Sequence, residues 1–112
     1  MALFAKRTQV FGPETFPIGE LDLSVDGCYR NVKTFELKVK PKHDLYVEVT
    51  SDAPIDVVVA AEDQSKLGYR DQVTDARLGP YDTGKSESMG LLIGVYRGDK
   101  ATVKAEAWME RR

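Results

Sequence analysis

The stretch Phe35-Glu36-Leu37-Lys38-Val39-Lys40-Pro41-Lys42-His43-Asp44-Leu45-Tyr46-Val47-Glu48-Val49-Thr50-Ser51-Asp52-Ala53-Pro54-Ile55-Asp56-Val57-Val58-Val59 decides the fold. Phe35, Leu37 and Val39 alternate with Glu36 and Lys38, and Leu45, Val47 and Val49 alternate with Tyr46, Glu48 and Thr50. Side chains of an extended chain point to opposite faces in turn, so each run buries one face and wets the other. Residues 55–61 are apolar on both faces apart from Asp56, which predicts a strand in mid-sheet with something packed over each side. Pro41 and Pro54 cannot donate to a ladder, and residues 40–44 and 51–54 are therefore expected to be hairpin turns.

The same rhythm continues outward. Leu21, Leu23 and Val25 alternate with Asp22 and Ser24, while Val103, Ala105, Ala107 and Met109 alternate with Thr102, Lys104, Glu106 and Trp108. Residues 91–96 resemble 55–61. Gly98-Asp99, within Arg97-Gly98-Asp99-Lys100, suits a tight turn joining the last two strands. Residues 62–88 are polar and broken by Gly68, Gly79, Pro80 and Gly84, and are expected to be mostly loop with one short strand over 69–73. No 3.6-residue periodicity is sustained. The expectation is an all-β single domain over residues 1–112, an antiparallel, jelly-roll-like β-sandwich of about seven or eight strands.

Composition bounds the function. The 112 residues are 42% hydrophobic and 30% charged, which is enough apolar material for one core. Sixteen basic against eighteen acidic side chains give a net charge of -2. That balance removes the electrostatic drive for nonspecific nucleic-acid or anionic-membrane binding, so neither partner is expected. Lys6 and Arg7 interrupt the apolar start of the chain before a secretory leader is complete. The single cysteine, Cys28, cannot form an intramolecular disulfide. Together these point to the cytoplasm.

The central segment, through Ser51-Asp52-Ala53-Pro54-Ile55-Asp56-Val57, resembles the strand, turn, strand course of GOLD (Golgi dynamics) domains. It is also similar to pre-peptidase C-terminal (PPC) domains, in which a later segment like Gly84-Lys85-Ser86-Glu87-Ser88-Met89-Gly90-Leu91-Leu92-Ile93-Gly94-Val95-Tyr96-Arg97 leads into the last strands. The resemblance implies a compact jelly-roll-like sandwich used as a noncatalytic interaction module.

The chemistry-bearing residues agree with a protein that is not an enzyme. His43 is the only histidine and sits in an expected turn, without a recognisable nucleophile or orienting partner. Cys28 reads as a small hydrophobe. Asp52, Asp56, Asp63, Asp71, Asp75 and Asp82 do not form an Asp-x-Asp-x-Asp-Gly calcium loop, and no glycine-rich phosphate loop occurs, so no metal and no cofactor is expected. Arg97-Gly98-Asp99 spells an integrin-recognised tripeptide, which turn geometry already explains. The terminal Glu110-Arg111-Arg112 reads as a frayed end.

Three aromatics remain. Tyr46, Tyr96 and Trp108 alternate opposite the apolar positions of their strands, and are expected to be partly exposed as a binding surface. The function expected is a module for protein–protein contacts, with self-association through a strand edge as one form of it. The alternative is a carbohydrate-binding module that stacks sugars on those rings.

Overall fold

In the computed structural model, which describes residues 7–23, 29–96 and 98–111, every regular element is a strand. The strands are β1 (Arg7–Leu23), β2 (Tyr29–Arg30), β3 (Val32–Lys38), β4 (His43–Ala60), β5 (Lys66–Asp82), β6 (Ser88–Gly94) and β7 (Lys100–Arg111). Six are substantial and β2 is two residues long. All pairings are antiparallel, in the order β2-β1-β7-β4-β6-β3, with β5 along the free side of β4.

The long strand β4 shapes the molecule. Its first half, from His43 to Ser51, pairs with β7, and its second half, from Asp56 to Ala60, pairs with β6. β5 follows the opposite side of both halves. The β4–β5 ribbon is thus common to two arms of one curled sheet: β2-β1-β7-β4-β5 and β5-β4-β6-β3. The corner lies at residues 51–54, where the β4–β5 register jumps between Thr50 and Ile55. It is pinned by Asp52, whose carboxylate accepts a 2.8 Å bond from the Thr102 N–H. The curl brings β1 and β3 together, with Phe35 4.7 Å from Phe11 and 5.1 Å from Phe16 between ring centroids.

One core fills the curl. Leu45, Val47, Val49, Ile55, Val57 and Val59 of β4 are all buried, so the inward parity predicted for each half runs unbroken through the corner. Ile18, Val103, Leu78, Leu91 and Leu37 from the other strands meet them there.

Several expectations from the sequence are corrected. Residues 51–54 are a corner within one strand and not a hairpin, because the two runs flanking Pro54 are consecutive halves of β4. Residues 40–44 are not a hairpin turn either, because β3 pairs with β6 instead of β4. The turn expected at Gly98-Asp99 is present, with the Asp99 N–H donating to the Tyr96 carbonyl at 2.9 Å and Gly98 at φ +90°, but the strands it joins pair with different halves of β4 and not with each other. The real hairpin joins β4 to β5, closed by Ala61 N–H to Ser65 O and Gln64 N–H to Ala61 O. Residues 62–88, expected to be mostly loop, contain the seventeen-residue β5. β5 escapes a period-two reading because bulges at Asp71-Gln72 and Gly79-Pro80 reset its parity. Gly79 adopts φ +113°, and a Cβ there would run into the Leu45 carbonyl oxygen, so the second bulge needs glycine. The end of the chain is not frayed through Arg111, which pairs with His43. Val25, Cys28, Arg97 and Arg112 lie outside the described residues.

Candidate functional site

The three nominated aromatics do not form one patch. Trp108 is only 2% exposed, because the outer face of the first arm is covered by its own side chains. Tyr46 stacks on it at 5.6 Å and 13°, and the Arg7 guanidinium lies 3.9 Å from its ring centroid. Arg7 is fixed in turn by a 2.9 Å ion pair with Glu106, and the Trp108 Nε1–H donates to Glu110. Arg77 approaches the Tyr46 and Trp108 rings from β5. These are partners within the fold, so the expectation of an exposed Trp108 is overturned and Tyr46 is half-buried beside it. Tyr96, which follows β6 in the second arm, is 56% exposed as expected.

The second arm has an outer face of another kind. β4 presents Val58 and Ala60 outward, β6 presents Gly90 and Leu92, and β3 presents Thr34 and Glu36. The registers place Thr34, Leu92 and Val58 in one row and Glu36, Gly90 and Ala60 in the next. These rows form the floor of an open groove of about 480 Å³, walled by Glu62, Gln64 and Lys66 at the β4–β5 hairpin. The double-sided apolar character of residues 55–61 is real, and among the described residues its outward half, Val58 and Ala60, faces this groove. Gly90 adds to its depth. A Cβ at Gly90 would meet Ala60 and Leu92 at an ordinary 3.8 Å, so the sheet itself does not require glycine there.

Beyond the groove's lining, past the Val58–Leu92 row, stand a pair of tyrosines and a pair of carboxylates. Tyr69 stands opposite Val58 and is 42% exposed, with Lys66 over its ring at 4.8 Å. Its hydroxyl donates to Asp71 at 3.1 Å. Asp56 accepts both the backbone N–H of Gln72 at 2.9 Å and its side-chain amide at 3.1 Å, which secures the Asp71-Gln72 bulge. Desolvation pushes the Asp56 carboxyl up, but hydrogen bonds from the Gln72 backbone and amide, with a smaller contribution from the neighbouring Asp71 carboxyl, hold it below its ordinary value. Tyr96 is pushed up by the negative charges of Asp71 and Asp56, and Tyr69 by desolvation, by its bond to Asp71 and by the same charges. These interactions place all four groups in one electrostatic neighbourhood. Tyr69 was not nominated from sequence: it opens the short strand expected over 69–73, where no run of alternating apolar positions marks which way its ring faces.

The remaining nominees have structural partners. His43 holds its Nδ1 2.8 Å from the Pro41 carbonyl, and its backbone N–H donates to Thr83. Asp63 caps the β4–β5 turn, accepting from the Ser65 hydroxyl and N–H, which lower its pKa. Asp82 accepts from the Gly84 N–H. Among the described residues, no group of three or more His, Cys, Asp or Glu is placed to hold a metal ion, and no helix is long and apolar enough to cross a membrane. Compared with protein-family models and with curated proteins, the chain matches none.

Proposed function

We propose that this chain is a noncatalytic interaction module, a two-layered jelly-roll-like β-sandwich of the GOLD and pre-peptidase C-terminal kind, working in the cytoplasm by docking a protein segment on the outer face of its second arm. The observation that carries the reading is the groove over Val58, Ala60, Gly90 and Leu92, an apolar floor on a face left open among the described residues. Apolar floors of this kind stabilise a complex when a partner's side chains displace their water. The first arm makes a useful contrast, since its large outward aromatic is capped by two arginines and a tyrosine.

Selection of random displayed peptides against the full chain tests this. Peptides that bind the wild type and lose binding to Gly90→Val, which fills the floor, support docking. Selection that enriches nothing sensitive to Gly90→Val sinks it.

A carbohydrate-binding function is the second reading, favoured by Tyr69 and Tyr96 beside the acceptors Asp56 and Asp71. It expects glycan-array binding that disappears in Tyr96→Ala.

A further inference from the structure

Resting on the docking reading above, we infer that the groove's occupant is a basic, amphipathic peptide segment of a partner protein, its apolar side chains on Val58 and Leu92 and its lysines or arginines directed to Asp56 and Asp71.

The argument is charge complementarity around an apolar floor. Among the described residues lining the groove, Lys66 is the one cation, and it already lies over the Tyr69 ring. Glu36 and Glu62 line the groove at one end; beyond the Val58 row at the other stands Asp56, and Asp71 is bonded to Tyr69, which lies opposite Val58. Each of the four takes hydrogen bonds from neutral donors: Glu36 from the Ser88 hydroxyl, Glu62 from the Glu87 N–H, Asp56 from Gln72 and Asp71 from the Tyr69 hydroxyl. Neutral donors fix a carboxylate without cancelling its charge. The groove and its extension thus present four carboxylates against Lys66 in the lining and Lys38 beside Ser88, an acidic bias that a chain of net charge -2 does not require at an apolar surface. A second copy would bring the same carboxylates against these, and like-charge juxtaposition opposes that association.

The Tyr69 end adds a chemical preference. Tyrosine faces attract cations, and Lys66 above Tyr69 shows such a pairing within the chain. Tyr96, more exposed and under the field of the same two aspartates, offers a further face to a partner's guanidinium or ammonium group. Apolar contact supplies area, and the acidic and aromatic end selects the sign of the partner's charge.

The test uses the full chain and three fluorescent synthetic peptides that share one apolar pattern and carry lysine, glutamate or glutamine at the polar positions. Binding is read by anisotropy at low and high salt. The lysine peptide is expected to bind about tenfold tighter than the glutamate peptide at low salt, a preference that shrinks as salt screens the carboxylates. Gly90→Val is expected to abolish its binding, and Asp71→Asn or Glu36→Gln to weaken it several-fold. Circular dichroism and thermal melting of each variant check that the fold persists, and the salt arm needs no variant at all. Equal or tighter binding of the glutamate or glutamine peptide, still sensitive to Gly90→Val, overturns the basic occupant while docking stands. No Gly90-sensitive binding by any of the three removes both. Sedimentation showing concentration-dependent dimers that Gly90→Val dissolves overturns the proposal in favour of a second copy.

Discussion

Tyr46 and Trp108 face each other directly across β4 and β7, their ring planes 13° apart and their centroids separated by 5.6 Å. With Arg7 against Trp108 and Arg77 approaching both rings, the stack crosses four adjacent strands on the outer side of the first arm.

That stack makes Trp108 a reporter, since it is the only tryptophan. Arg7→Ala removes its cover, and acrylamide quenching of Trp108 emission should rise markedly while melting falls by the equivalent of about 1 kcal/mol. Trp108→Ala should cost about 3–5 kcal/mol in urea unfolding, as for a large buried aromatic. A loss below 1 kcal/mol would show that the stack contributes little.

Thr83 is the one polar side chain in the core among the described residues. Its hydroxyl accepts from the His43 N–H at 2.9 Å and lies 2.7 Å from the Lys40 carbonyl, tying the start of β4 to the end of β5. Thr83→Val preserves shape and strands both groups. We expect about 1–3 kcal/mol of destabilisation in chemical denaturation, larger than Thr83→Ser.

Asp56 and Asp63 titrate below their ordinary range in the folded chain. A depressed folded pKa gives stability that is complete above the unfolded value, about 4, and is lost as pH falls through the folded value. The urea midpoint should therefore drop as pH is lowered from about 5 toward 2. Asp56→Asn should flatten that acid limb and leave a lower plateau at neutral pH, because the Gln72 bulge loses its charged acceptor. An unchanged acid limb in the variant would refute the assignment.

Tyr69 and Tyr96 are shifted the other way. Their folded pKa values lie above the unfolded value of about 10, so this contribution is present below that pH and is lost as pH rises through the folded values. Ultraviolet titration of phenolate should show two late-ionising tyrosines, and Asp71→Asn should bring Tyr96 back toward its ordinary value. Ionisation of Tyr96 unaffected by that substitution would place Asp71 away from it.

The strands were legible where parity is unbroken. Leu45, Val47 and Val49, then Ile55, Val57 and Val59, read as inward positions and are all buried. Connectivity was not, because proline at 54 marks a bend within a strand as readily as a turn between strands. β5 was hidden by its own bulges: Gly68, Val73, Ala76, Leu78 and Tyr81 face the interior at uneven spacing, so no period emerges. β1 is disguised in the same way by register shifts around Phe11, where Gly12 holds φ +69°. At the candidate site, the exposure of Tyr96 and the two-sided apolar run were readable from alternation, while Trp108 misled because alternation reports a side chain's direction and not what lies over it.

One strand belongs to both arms, and this governs how the chain comes apart. The two halves are expected to melt together, since β4 is shared by both arms, its residues His43 to Ser51 pairing with β7 and Asp56 to Ala60 with β6. Amide protons of Val47 and Val57 should thus exchange with the same global free energy, and proteolytic cutting at the corner should yield no surviving fragment.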